Sequence, residues 1–168
     1  MEITYCERLW LEPNPLAAIQ LLLNIEQLTV DACKTLTSFD MMGFHPKLKT
    51  LRLYRCDELT SLVGIVDCFP KLEKLYINSC KTIRSLDGKA QCLDSLSVLC
   101  VLDCQGLTSL DEIRFLPNLE ELGIRNLKLK TRFDYSREDD EPIPEELIPE
   151  KIHNFIPNLS VVICSQEY

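Results

Sequence analysis

A period of 23 to 24 residues runs through this chain and restricts its fold more than any other feature. Leu48, Leu51, Leu53, Cys56, Leu59, Ser61 and Leu62 return 24 positions later as Leu72, Leu75, Ile77, Cys80, Ile83, Ser85 and Leu86. After another 24 they return as Leu96, Leu99, Val101, Cys104, Leu107, Ser109 and Leu110. Upstream by 23 stand Ile25, Leu28, Val30, Cys33, Leu36, Ser38 and Phe39. A fifth copy runs Leu119, Leu122, Ile124, with Leu127 where the others carry cysteine. A sixth is read as Leu159, Val162 and Cys164, and Ile3, Cys6 and Leu9 read as the tail of an earlier one.

The spacing has a direct physical meaning. In L-x-L the two apolar side chains point to one side of a strand. One short strand cannot bury them alone, but stacked copies form a parallel sheet with a continuous apolar inner face. After each strand the chain must turn away, and Cys33, Cys56, Cys80 and Cys104 fall at that turn. Cysteine suits it because it is small, readily buried and a weak hydrogen-bond donor. The return leg adds apolar residues at Phe44, Cys68-Phe69, Cys92-Leu93 and Phe115-Leu116, each followed within two residues by a strand approach. Pro46, Pro70 and Pro117 recur there and disfavour a continuing helix. Between Pro13 and Asn24 the spacing of Leu16, Ile19, Leu22 and Leu23 predicts a convex-side helix or part of an end cap.

These readings divide the chain into a partial repeat or cap over 1–24, core repeats over 25–127, an acidic insert over 128–156 and a terminal repeat or cap over 157–168. The insert holds Ser136-Arg-Glu-Asp-Asp-Glu-Pro-Ile-Pro-Glu-Glu, which reads as an exposed loop. With 168 residues the chain is long enough for one domain, and 46% hydrophobic residues suffice for a core. A formal charge of −8 argues against broad binding to nucleic acid or anionic membrane, which need dense Lys and Arg. No run approaches the roughly 20 apolar residues of a membrane span, and no basic-flanked leader is visible. Nine cysteines leave one over from pairing. Their place in the repeat favours buried thiols and a reducing, cytoplasmic setting.

Few residues suggest chemistry. The cysteines lack a C-x-x-C pair, and His45 and His153 are the only histidines, so neither a metal site nor a cofactor is expected. Neither histidine has a nucleophile at a telling spacing, so no catalytic residue is assigned. Asn158-Leu159-Ser160 matches a glycosylation sequon but repeats the element Pro117-Asn118-Leu119, so Leu159 is expected in the core. The outward strand positions are the expected binding surface, with a protein as partner and the domain acting as a monomer. They include Arg52, Tyr54 and Arg55 in one copy, then Lys74, Tyr76 and Asn78, then Val98, Cys100 and Leu102, and Arg125 in the fifth. Tyrosines and arginines are common interface anchors. An exposed apolar row at Val98, Cys100 and Leu102 would be costly to leave wet.

The phrases Leu51-Arg-Leu-Tyr-Arg-Cys56-Asp-Glu-Leu-Thr-Ser-Leu62 and Leu75-Tyr-Ile-Asn-Ser-Cys80-Lys-Thr-Ile-Arg-Ser-Leu86 carry the leucine-rich-repeat signature. They resemble the repeats of plant nucleotide-binding immune receptors over residues 25 to 127 and more weakly 157 to 165. The resemblance implies an α/β leucine-rich-repeat solenoid, a right-handed superhelix with a short parallel sheet on its concave face. It implies a cytosolic recognition domain, cut from a larger receptor, that senses a pathogen effector or an intramolecular partner in plant defence. Similar cysteine-bearing repeats occur in F-box substrate adaptors for ubiquitin ligation and in free-standing effectors that act on host proteins. Leu127, the acidic insert and the small number of repeats depart from the receptor pattern.

Overall fold

The computed structural model describes residues 2–3, 23–34, 36–40, 42–86, 93–127, 152 and 159–163. Seven short strands make one sheet: β1 (Glu2–Ile3), β2 (Gln27–Asp31), β3 (Thr50–Tyr54), β4 (Lys74–Asn78), β5 (Val98–Leu102), β6 (Glu121–Arg125) and β7 (Ser160–Ile163). Each pairs in parallel with the next, in chain order. The recurrence is therefore a stack of coils. Leu28, Leu51, Leu75, Leu99 and Leu122 stand in one register line, and Val30, Leu53, Ile77, Val101 and Ile124 in another. Both lines are buried and form the inner wall of the core.

A backbone device repeats where each strand ends. Ala32, Arg55, Ser79, Asp103 and Asn126 all adopt the left-handed conformation, with φ between 50° and 57°. This conformation costs a non-glycine residue about 1–2 kcal/mol. The N–H groups of the first four extend the ladder by one bond, donating to Tyr54, Asn78, Leu102 and Arg125 carbonyls at 2.9–3.0 Å. The turn then directs the next side chain inward, and Cys33, Cys56, Cys80 and Cys104 are fully or almost fully buried. Their thiols approach carbonyl oxygens of the same and the preceding coil, as Cys104 Sγ does to Leu102 O at 3.2 Å and Ile77 O at 3.8 Å. Cys56 and Cys80 repeat that pair of contacts.

The described stretches of the return legs are built mainly from turns. Cys56 O accepts from Leu59 N–H at 3.2 Å, and Cys104 O from Leu107 N–H at 3.0 Å. Before the strands, His45 O accepts from Leu48, Phe69 O from Leu72 and Leu93 O from Leu96, at 3.0–3.2 Å. Pro46 and Pro70 take the second position of these turns, where their fixed φ is suited. Between β3 and β6 the described legs hold one four-residue helix, α1 (Ile65–Cys68), and one 3-10 turn, Asp111–Phe115.

This finding corrects the fold expected from the resemblance. The chain is a mostly-β solenoid, not an α/β leucine-rich-repeat superhelix, because among the described residues the alternation of strand and helix is missing. The likeness to plant immune-receptor repeats, and the plant-defence role it implied, fall with it. The reason is local: Asp57, Thr60, Ser61, Val63 and Gly64 are poor helix formers. Leu59, Leu62 and Ile65 enter the core at steps of three, and a run of such steps drifts around an α-helix of 3.6 residues per turn.

Two further corrections concern register. The sixth copy pairs Leu122 with Val161 and Ile124 with Ile163, one residue earlier than the reading through Val162 and Cys164. Val161-Val162-Ile163 is apolar throughout, so its pattern cannot choose between two phases that differ by one residue. On the return legs, Phe44 and Phe115 are exposed at 56% and 48%, whereas Phe69, Leu93 and Leu116 are buried. The inward position is the one three before the next strand-leading leucine. The helix expected between Pro13 and Asn24 falls outside the described residues up to position 22. Most of the acidic insert, and Cys6, Cys92, His153, Asn158 and Cys164, also lie outside them.

Candidate recognition face

The side chains that alternate with the buried leucines make three ladders across the outer face of the sheet. The first runs Gln27, Thr50, Lys74, Val98, Glu121 and Ser160. The middle one runs Thr29, Arg52, Tyr76, Cys100 and Gly123, and the third Asp31, Tyr54, Asn78, Leu102 and Arg125. Every strand residue singled out from the sequence therefore lies on this face, at neighbouring register positions. Arg55 stands just beyond Tyr54, at the left-handed turn.

The residues do not all behave as the spacing suggested. Cys100 and Leu102 point to the outer face yet are only 7% and 3% exposed, and Val98 is half-buried. The expected wet apolar row is thus largely buried. Tyr54, Tyr76, Asn78, Cys100 and Leu102, with Ile77 beneath, line a cleft of about 210 Å³ that includes solvent-open space. It is an open, shallow depression on the face rather than an enclosed chamber.

Charges around the cleft divide into spent and unspent. Arg55 Nε donates to Asp31 Oδ1 at 2.9 Å, and its Nη2 to Asp31 Oδ2, a bidentate pair between successive coils. Arg125 Nη2 donates to Asp103 Oδ2, and Asn126 Nδ2 to Asp103 Oδ1 at 3.1 Å. The Arg125 hydrogen bond holds the Asp103 carboxyl below the usual carboxylate range. Lys49 pairs with Glu73 at 3.5 Å. Arg52 and Lys74 are different. The Arg52 guanidinium lies 5.0 Å from the centre of the Tyr76 ring, a cation–π contact. Neither Arg52 nor Lys74 makes an ion pair with a described carboxylate.

Sequence reading places Asp31 and Asp103 among the outward positions but does not pair them, because their 24- and 22-residue offsets from Arg55 and Arg125 each differ by one from the 23-residue register of those coils. His45 is 0% exposed, contacts Met42 O through Nε2 at 2.9 Å and stacks on Phe69 at 5.8 Å. It fills the inward return-leg position that Phe69, Leu93 and Leu116 fill in other coils, and the alignment could have shown this. Burial pushes the thiols of Cys68 and Cys104 up to about 11, and Asp40 adds to the effect at Cys68. Cys80 is raised further, first by its hydrogen bond with Cys56 and then by burial. Such thiols are poor nucleophiles at neutral pH. Among the described residues no cluster of three His, Cys, Asp or Glu is placed to hold a metal ion. No described helix is long and apolar enough to cross a membrane.

Fold and face together define a class: a β-solenoid whose sheet displays an aromatic, locally cationic strip. No protein-family model matches the chain, and no curated protein sequence matches it.

Proposed function

We propose that the chain is a protein-recognition module that holds its partner on the outer face of the sheet, in the reducing environment of the cytoplasm. The observation that carries this reading is the cleft between Tyr54, Tyr76 and Leu102. It is edged by the residue types that anchor protein interfaces. Apolar area covered there by a partner contributes about 25 cal/mol per Å². Compartment is supported by the six described cysteines, none of which forms a disulfide with another described one.

The test is capture by the immobilised full chain, with bound proteins identified by mass spectrometry. The double variant Tyr54→Ala/Tyr76→Ala should lose its specific partner at least tenfold while keeping the wild-type circular dichroism. Undiminished capture by a folded double variant would remove this face from consideration.

A further inference from the structure

We infer that the segment recognised is an extended acidic peptide, with two carboxylates two residues apart and an apolar side chain beside them. The inference rests on the recognition reading above and deepens it. It begins from the charge accounting on this face. Asp31, Glu73 and Asp103 are engaged by Arg55, Lys49 and Arg125. The protein carries a formal charge of −8, yet here two cations have no described carboxylate partner. A partner's carboxylates would supply the missing complement, and complementary charge fixes both encounter and register.

The geometry narrows the shape. Lys74 pairs in register with Thr50, and Arg52 is two residues further along β3. Strand spacing of about 4.8 Å and a rise of about 3.3 Å per residue set the two Cα atoms roughly 8 Å apart. An extended peptide places alternate side chains on one face at roughly 6.6 Å, a near match for cations on flexible stems. Arg52 is held over the Tyr76 ring, so its guanidinium is positioned before a ligand arrives, and a planar guanidinium suits a carboxylate. Tyr76 also edges the apolar cleft, so a side chain next to the acidic pair reaches Tyr54, Cys100 and Leu102. The Tyr54 hydroxyl makes no hydrogen bond to a described residue and stands ready for the peptide backbone.

The experiment uses the full chain and capped hexapeptide pools in which x is Ser, Thr or Asn. One pool has the pattern Glu-x-Glu-x-Leu-x, and the matched pool replaces both Glu by Gln. A ten-nucleotide oligothymidylate is the third probe. Titration followed by amide chemical shifts should show the Glu pool binding at least tenfold tighter than the Gln pool. Its shifts should centre on β3 and β4. In Arg52→Gln/Lys74→Gln the preference should fall to near unity. Should that variant fail to fold, Lys74→Gln alone, at an exposed position, should lose about half of the preference on a logarithmic scale. Glu and Gln pools binding within twofold of each other, or oligothymidylate binding as tightly as the Glu pool, would overturn the inference. So would a Glu pool that does not bind while the wild type still captures a partner lost in the tyrosine variant; the recognition reading would then stand alone. Normal capture by the tyrosine variant would instead defeat that reading itself.

Discussion

The strand side and the return side of each coil solve the same burial problem in different ways. On the strand side every coil from β2 to β6 has the same length, register and left-handed exit. On the return side one coil carries α1, another a 3-10 turn, and the strand starts are 23 or 24 residues apart. The difference teaches which constraint is stricter. Strand residues are tied at once by ladder bonds and by inward leucines of period two, so one residue more would turn the apolar line outward. Return residues are tied mainly by the core side chains they deliver, and a turn can absorb an extra residue.

The sharpest way to break this comparison is insertion. One alanine after Tyr76 would reverse the facing of Ile77 and Asn78 and should abolish cooperative unfolding, read by urea denaturation. One alanine after Arg114 lies in a 23-residue coil and brings it to the 24 of its neighbours, so its cost should be about 1 kcal/mol or less. Similar losses at both sites would end the distinction.

Next comes Gly106, a place where the return side is as strict as the strands. A Cβ there would stand 2.2 Å from Lys81 O and 2.8 Å from Ile83 O, both backbone atoms of the preceding coil. The matching Thr82 meets the coil before it with a hydroxyl, which lies 2.5 Å from Asp57 O and 2.9 Å from Leu59 O. Gly106→Ala should therefore cost about 3 kcal/mol, at the upper end for overpacking, in urea-melt free energies. A cost below about 1 kcal/mol would show that the turn can retreat.

A smaller effect separates the cysteines from the surface charges. Cys68 and Cys104 titrate near 11 in the folded chain, against about 9 when exposed. Above pH 9 the unfolded chain releases protons that the folded one retains. The stability these thiols confer is full below pH 9 and is lost as pH rises toward 11. Thermal melts between those values should fall, and Cys104→Ala should flatten part of the slope. The smallest effect is at Asp103, whose lowered pKa gives stability that is present above the ordinary carboxylate range and lost as pH falls. Asn tolerates the left-handed backbone there, so Asp103→Asn isolates the charge. It should cost about 0.2–1 kcal/mol at neutral pH, as exposed ion pairs do, and almost nothing in acid. An equal cost at both ends would assign the effect to packing.

What could be read without coordinates was whatever repeats. The register of Leu51, Leu75 and Leu99, the inward cysteines and the outward placement of Arg52, Tyr54 and Tyr76 follow from period two within strands and 24 between them. The candidate cleft was legible as a row of neighbours, but not as a cavity, since the burial of outward positions such as Cys100 and Leu102 is set by three-dimensional packing that spacing does not encode. His45 was open to reading, because its offset from Leu48 equals that of Phe69 from Leu72.

By itself the sequence determined that coils stack and which residues face in, because hydrophobic spacing is a one-dimensional signal and a stacked array is nearly one-dimensional. Only the tertiary structure decided that the described return legs close mainly by turns. It alone set the phase of the sixth copy, β7, and chose which cations remain without a described acid. Those outcomes depend on how each coil meets its neighbour in space, where steps of three and short apolar runs permit more than one arrangement.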